Sequence, residues 1–354
     1  MQAPFIWDKY SDQPYPIKDK AYKKQMRKKH MWDYIPLVLS NIIFFPLSIL
    51  LMLLFKGKKV PKESFYGMGV DLDKGEVQKV LIEELGVKYL LIRMPLWEMH
   101  RVDKYVDFAK SFGEDKHILL NILQDREHIE DRSLLEKDIQ TIFEKFSPFV
   151  NEYQIGHAIN RTKWGFFSMG EYLGWYKTVQ KIRDEKYPEL KLIGSSVIDF
   201  EFHYTIRTLF NFFSVKYDKF SSLLYVDRRG SPSNTQMGIF DTKNKINMLY
   251  SLVKISHKTC NDIYITEANW PLSNTAPYAP TSEVECVSEA VYAQFMQAYL
   301  HTAKESGKIQ RVYWHQLIAA GYGLVDDREG KIRRTEAFDA YKNMIMVQVG
   351  ILPK

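Results

Sequence analysis

The sequence has little of several features that mark common functional classes. Its two cysteines, Cys260 and Cys286, fit no metal-binding spacing, so we expect no structural zinc. It contains no Gly-x-Gly-x-x-Gly or Walker sequence, which argues against a dinucleotide- or nucleotide-binding fold. The net charge of +6 comes largely from one N-terminal block and is not a nucleic-acid signature. We therefore expect no metal, no cofactor and no nucleic-acid partner.

The N-terminal part contains the one long apolar run. Residues 1–34 carry a block of lysines and arginines, and residues 35–55 then contain no charged residue. A helix of that length matches a hydrocarbon core about 30 Å thick, so we predict a transmembrane helix over 35–55. No small-residue cleavage site follows, which argues against a signal peptide, whereas a monotopic hairpin broken at Pro46 stays an alternative.

The basic residues also predict how this helix is oriented. By the positive-inside rule, the block before the helix places the N-terminus in the cytoplasm and the rest of the chain on the periplasmic or extracellular side. Lysines at positions 56, 58, 59 and 62 follow the helix and weaken this prediction. The alternative is a C-terminal part that also lies in the cytoplasm.

From Ser64 onward, short apolar strands alternate with amphipathic helical patterns. Eight strands are predicted, at 65–72, 87–94, 118–123, 153–156, 190–198, 221–226, 262–267 and 312–314. Eight strands with helical connections are what a (β/α)8 barrel requires, and a doubly wound open sheet is the second choice. The predicted order is a basic cytoplasmic segment (1–34), a membrane helix (35–55), a linker (56–63) and an α/β protein of the (β/α)8 TIM-barrel class (64–354).

In such a barrel, functional residues lie at the C-terminal ends of the strands. Those positions here hold mainly carboxylates, aromatic residues and histidines: Arg93, Asp125, His157, Asn160, Asp199, Glu201, Tyr225, Asp227, Glu267, Trp314 and His315. This set suits sugar chemistry, because sugars are held by aromatic stacking and charge-assisted hydrogen bonds. Ordinary ion pairs at the barrel rim explain any one of these residues equally well.

Four segments in this order resemble the retaining (β/α)8 glycoside hydrolases of clan A, over about residues 64–345. Ile265–Pro271 is similar to the strand-7 nucleophile motif, and Tyr153–Asn160 falls where strand 4 carries the acid/base. Leu224–Asp227 resembles the strand-6 segment whose Tyr hydrogen-bonds the nucleophile. Val312–Leu317 resembles strand 8, whose Trp floors the subsite for the reacting sugar. The resemblance implies Glu267 as nucleophile and a set of substrate-binding residues: Arg93, Asn160, Tyr225, Asp227, Trp270, Trp314 and His315.

The chain departs from the family at the acid/base. The strand-4 pattern is Asn-Glu, then one residue and usually Asn, whereas this chain has Ala158 in place of the Glu. General acid catalysis contributes about 10²- to 10⁴-fold, so its loss cripples cleavage of an ordinary glycoside. Three interpretations stay open. His157 or a carboxylate across the mouth supplies the proton, the leaving group is a diphosphate that needs none, or the site only binds sugar.

The sequence thus predicts a membrane-anchored, glycoside hydrolase-like protein. It would act on a poly- or oligosaccharide, including a lipid-linked one, with Glu267 and His157 as catalytic residues. The alternative is an inactive sugar-binding barrel in a polysaccharide synthesis or export assembly. In both cases residues 35–55 would bind the membrane. Arg228 and Arg229 could hold uronic or phosphate groups, although solvated charge is the default interpretation.

Overall fold

The computed structural model describes residues 5–58 and 64–348. Its centre is a closed barrel of eight parallel strands, in which each strand pairs with the next along the chain and the last pairs with the first. The strands are β1 (Tyr66–Val70), β2 (Tyr89–Pro95), β3 (His117–Leu123), β4 (Glu152–Ile155), β5 (Lys191–Ile198), β6 (Lys219–Leu223), β7 (Ile263–Ile265) and β8 (Arg311–Trp314). The predicted (β/α)8 barrel is confirmed.

Alternation along the strands divides their side chains between two layers. One set fills the barrel interior as a small buried cluster of Leu91, Leu119, Ile193, Tyr264 and Tyr313. The neighbouring residues, such as Leu90 and Ile92, point outward and join the large core between the strands and the surrounding helices. A filled interior of this kind makes the barrel a solid support for residues at its mouth.

Helices follow the strands and cover the barrel. Several begin at a Ser or Asp whose side chain accepts a hydrogen bond from a backbone N–H three residues later, which satisfies a free donor at the helix start. These caps are Asp131, Ser168, Asp241 and Ser288. In chain order, the helices are α1 (Lys20–Lys29), α2 (Tyr34–Leu51), α3 (Val77–Leu85), α4 (Val102–Lys110), α5 (Arg126–Glu130), α6 (Arg132–Phe146), α7 (Met169–Lys186), α8 (Phe202–Leu209), α9 (Thr242–Ile255), α10 (Glu289–Glu305) and α11 (Glu336–Gln348).

The apolar helix α2 lies along the outside of the barrel. Asn41 donates a hydrogen bond to the His203 carbonyl at 2.9 Å, and the Phe44 and Phe210 rings stack with centroids 3.6 Å apart. Farther along, Ser251 donates to the Ser48 carbonyl at 3.0 Å. The helix continues through Pro46 and ends at Leu51, four residues before the end of the predicted span, so no hairpin breaks at Pro46.

The outer face of α2 is apolar and exposed. Its exposed side chains include Ile35, Val38, Leu39, Ile42, Ile43 and Leu50. A short 3-10 turn, Met31–Asp33, directly precedes α2. Together they form Met31–Leu51, the one helix in the described part of the chain that is long and apolar enough to cross a membrane. Part of the predicted linker (59–63) and the predicted end of the barrel domain (349–354) lie outside the described residues.

The segment before α2 contacts the barrel mouth. Two short strands, Trp7–Asp8 and Gln13–Pro14, pair as an antiparallel hairpin, and Gln13 Nε2 donates to the Pro280 carbonyl at 3.1 Å. Asp33, at the start of α2, pairs with Arg207 at 3.1 Å. The sequence interpretation had treated residues 1–34 only as a basic arm and did not predict this hairpin.

Candidate active site

Glu267 lies at the barrel mouth two residues after β7, where its side chain is 8% exposed. Its Oε2 is 2.7 Å from Arg93 Nη2, and its Oε1 accepts a hydrogen bond from the Tyr225 hydroxyl at 2.5 Å. His157 Nε2 is 3.2 Å from the same Oε2, and His315 Nε2 is 4.0 Å away. Residues that the sequence places at four different strand ends therefore converge on the carboxylate at a fifth.

The contacts of Glu267 determine its charge. Burial by itself raises the pKa of this carboxyl, but its interactions with His315, His157 and Arg93 outweigh the effect of burial, so the pKa lies well below its usual value. Burial lowers the pKa of His315 to about 3 and also lowers that of His157. Because both imidazoles are neutral at pH 7, Arg93 supplies the countercharge. Glu267 is then an ionised carboxylate, the form that a nucleophile requires.

His157 is packed beneath Glu267. Its backbone N–H donates to Gln124 Oε1 at 2.9 Å, its Nδ1 is 3.2 Å from Asn121 Nδ2, and its ring packs edge-on against Trp164. These contacts fit a neutral imidazole that accepts from Asn121 and donates to Glu267. The predicted second catalytic residue therefore contacts the carboxylate and is suited to holding it in place.

The two tryptophans of the resemblance are buried behind the barrel wall. Trp314 donates its Nε1 hydrogen to the Tyr292 hydroxyl at 2.7 Å, and Trp270 stacks on it with centroids 6.0 Å apart. Tyr313 points into the barrel, so alternation sends Trp314 outward and brings His315 back to the mouth. The sequence analysis expected Trp314 to form the floor of the sugar subsite. Among the described residues, His315 lines the cavity instead.

The other predicted site residues lie toward strands β5 and β6. Asn160 donates to the Ile198 carbonyl at 3.1 Å and to Glu201 Oε2 at 2.6 Å, which joins the loops after β4 and β5. Asp227 lines a neighbouring cavity. Asp125, an alternative proton donor, caps α5 and contacts His128 Nδ1 at 2.9 Å.

Ala158 stands where the resemblance leads us to expect the acid/base. Ala158 is fully buried, has a left-handed φ of 43°, and belongs to an apolar cluster with Trp164, Leu123 and Tyr225. Trp164 lines the cavity beside Glu267, whereas Ala158 does not. Residue 158 is thus packed among apolar and aromatic side chains.

Two connected cavities lie at the mouth. The inner one, about 180 Å³, is lined by Glu267, Arg93, His315 and Asn269, and the buried Oδ1 of Asn269 has no hydrogen-bond partner. The outer one, about 320 Å³, shares Tyr225 and several other residues with it and extends over the β5 and β6 loops. A free amide oxygen beside a carboxylate suits the binding of a sugar hydroxyl. Sequence reasoning missed Asn269, although it lies within the strand-7 motif.

The N-terminal hairpin closes one side of the inner cavity. Asp12 Oδ2 is 2.8 Å from Arg93 Nη1, so Arg93 bridges the hairpin and Glu267. Trp7 packs against Trp97 and Trp164, with centroids 5.3 and 5.8 Å away. The aromatic residues in an otherwise polar N-terminal segment were the one sequence signal that could have revealed this contact.

Comparison with known proteins places the fold but not the activity. No protein-family model and no curated protein sequence matches the chain. A glucosidase structure from Croceicoccus marinus matches with a TM-score of 0.60 and 14% identity, over 82% of this chain and 68% of that one. A GH39 β-xylosidase from Caulobacter crescentus matches with a TM-score of 0.56 and 13% identity, over 81% and 72%.

A third structure extends the same likeness to a longer protein. A GH2 β-galacturonidase from Eisenbergiella tayi, bound to glycerol, matches with a TM-score of 0.54 and 14% identity. The match covers 82% of this chain and 51% of that enzyme. This chain therefore spans about half the length of that enzyme. The structural neighbours are clan A glycoside hydrolases, which confirms the predicted likeness in fold.

Proposed function

We propose that this protein is a retaining glycosidase in which Glu267 attacks the anomeric carbon of a sugar. The proposal rests on one observation: a buried carboxylate at the barrel mouth contacts Arg93 and Tyr225 and faces a small polar cavity. In the first step, a Glu267 oxygen would bond to the anomeric carbon while the leaving group departs with the electrons of the broken C–O bond. Water would then attack that carbon, lose a proton and free the carboxylate.

The surroundings of Glu267 support a substrate whose leaving group needs little protonation. His157 is neutral and is engaged by Asn121 and Glu267, and Glu201 binds Arg161 and Asn160. Ala158, which stands where the resemblance leads us to expect the acid/base, lies among apolar and aromatic side chains. A leaving group that is already a weak base departs without a general acid.

A sugar-binding barrel without turnover is the second candidate, and Ala158 in the place expected for the acid/base favours it. Glu267→Gln separates the two, because a carboxamide keeps the shape but cannot form the glycosyl ester. If the protein is a glycosidase, Glu267→Gln should turn over an activated aryl glycoside roughly 10³-fold or more slowly than wild type. Glu201→Gln, in the outer cavity, is the matched control and should lose far less. Unchanged oligosaccharide affinity in Glu267→Gln, with no turnover in wild type, would support the binding protein instead.

We further propose that α2 attaches the protein to a membrane. Its exposed apolar side chains and the basic helix α1 beside it support contact with acyl chains and with anionic headgroups, respectively. The contacts of the N-terminal hairpin with the barrel support an arrangement in which both lie on the same side of the membrane, with α2 in the interface. This favours the alternative of a cytoplasmic barrel over the two-sided topology.

Site-specific labelling tests this arrangement. Cysteines introduced at Tyr10 and Val284, both exposed, report on the hairpin and the barrel, once Cys260 and Cys286 are replaced by serine. A membrane-impermeant maleimide applied to intact cells should label neither position, and labelling of both would contradict the cytoplasmic location of the barrel. Labelling of only one position would indicate a spanning α2 and contradict the proposal.

A further inference from the structure

Two cationic side chains reach the inner cavity without an ion pair. Lys163, in the loop after β4, donates from Nζ to Gln13 Oε1 at 2.6 Å. Arg229, in the loop after β6, stacks on the Tyr225 ring at 3.3 Å, and its buried Nη1 has no hydrogen-bond partner. Over residues 5–58 and 64–348, no carboxylate lies within 4.0 Å of either cationic group.

The other two cations of this cavity are neutralised. Arg93 pairs with Asp12 and Glu267, and Arg161 pairs with two further carboxylates, Asp199 and Glu201. The nearby carboxylates Asp12, Glu267, Asp199 and Glu201 are therefore engaged by Arg93 and Arg161, and none of them pairs with Lys163 or Arg229. A partly buried cation without a counterion is costly, so the unpaired Lys163 and Arg229 favour an anionic ligand.

Lys163 is charged under ordinary conditions. Burial lowers its pKa to about 8, although the nearby Glu267 carboxylate opposes this shift. The ammonium form therefore predominates at pH 7. A bound anion would raise the pKa again and favour the charged form further.

The backbone holds Arg229 in place at some cost. Arg228 and Arg229 both have left-handed φ angles, 46° and 52°, which are uncommon for residues other than glycine. The Trp270 indole anchors the end of this turn by donating to the Gly230 carbonyl at 3.0 Å. Strained backbone that the surroundings maintain is characteristic of binding sites. Here it sets the guanidinium over Tyr225, the hydrogen-bond donor to Glu267.

We infer that Lys163 and Arg229 form a subsite for an anionic group of the substrate, a phosphate or a carboxylate, beside the carbon that Glu267 attacks. The inference rests on the proposed function for its substrate, but not for the anion binding itself. A phosphate or diphosphate in this subsite would be the leaving group. It would depart with the electrons of the C–O bond as a weak base, which fits the missing acid/base. A carboxylate would instead belong to a uronic acid ring.

Calorimetric titration of the full chain tests the subsite with four probes: inorganic phosphate, pyrophosphate, glucuronate and uncharged glucose. At least one anionic probe should bind roughly tenfold or more tightly than glucose. Lys163→Met and Arg229→Met should each weaken that binding by roughly 10- to 100-fold, because each removes a hydrogen-bond donor to a charged group. Arg328→Met, which removes an ion pair with Asp326 outside this cavity, is the control and should bind as wild type does.

The pattern of results also identifies the source of the anion. Tighter binding of phosphate or pyrophosphate indicates a phosphorylated leaving group, and tighter binding of glucuronate indicates a uronic acid. Equal affinity of wild type for charged and uncharged probes, or unchanged affinity in both folded variants, would overturn the inference. Covalent labelling of wild-type Glu267 by an uncharged fluoro-sugar reports separately on the proposed function, so the two failures are distinguishable.

Discussion

Replacing Arg93 with methionine removes the positive charge beside Glu267 while keeping much of the side-chain length. The ion pair is short, 2.7 Å, and both side chains are at most 10% exposed, so water cannot replace the lost partner readily. An arginine next to a carboxyl typically lowers its pKa by roughly 1–3 units. We therefore expect the pKa of Glu267 to rise in Arg93→Met. Breaking a buried pair also costs about 3–5 kcal/mol of unfolding free energy at neutral pH.

The sign of the pH dependence follows from the direction of the wild-type shift. Because the folded pKa of Glu267 lies well below the ordinary value of 4.5, its ionisation stabilises the folded state above pH 4.5. That contribution is lost as the pH falls below 4.5 toward the folded pKa. In Arg93→Met the folded pKa moves toward or above 4.5, so acidification should destabilise the variant less than wild type. Urea unfolding from about pH 3.5 to 7 measures this difference.

The same perturbation should appear in the pH dependence of covalent labelling by an activated fluoro-sugar. The labelling rate falls at low pH as the nucleophile becomes protonated, and we call this part of the pH profile the acid limb. Its midpoint should move upward by roughly 1–3 pH units in Arg93→Met. Arg161→Met is the control, because its partners Asp199 and Glu201 do not contact Glu267. A folded Arg93→Met protein whose acid limb coincides with that of wild type would refute this reasoning.

Three further predictions concern the surroundings of the site. Ala158→Glu should lower the unfolding free energy by roughly 2–5 kcal/mol without restoring a general acid, because it buries a charge, whereas Ala158→Gly should fold normally at a φ of 43°. Tyr225→Phe should slow labelling of the proposed nucleophile by roughly 10- to 100-fold, because a charged hydrogen bond is lost, and its acid limb should move upward. His128 contacts Asp125 and Asp138; burial lowers its pKa, but these carboxylates raise it to a net value above 6.5. As the pH rises above 6.5, the unfolding temperature of wild type should therefore fall relative to that of His128→Gln. Parallel pH curves for these two proteins would contradict this assignment.

Much of the fold could be predicted because its signals are local. A run such as Ile263–Ile265 between turn residues is sufficient to identify a buried strand, and eight such runs with helical connections specify the barrel. The residues at strand ends follow from that topology, so Arg93, His157, Tyr225 and His315 could be grouped around Glu267 before any contact was known.

The rest of the site depends on contacts between parts of the chain that are far apart in sequence. Asp12 meets Arg93 across 81 positions, and a hairpin of only four paired residues has no periodicity to reveal it. Trp314 was expected to face the sugar, but the phase of alternation at the end of β8 depends on how Tyr313 packs inside the barrel. That Lys163 and Arg229 have no ion-pair partner could not be predicted either, because it depends on where every nearby carboxylate lies in the folded chain.

The most direct test is intact-mass measurement of the full chain after incubation with 2-deoxy-2-fluoro glycosides that carry activated leaving groups, followed by peptide mapping. These reagents suit a site without a general acid, because their leaving groups depart unprotonated. We predict a single sugar adduct on Glu267 and none in Glu267→Gln. If no sugar in the panel forms an adduct while the protein binds an oligosaccharide measurably, the claim that Glu267 is a nucleophile is contradicted.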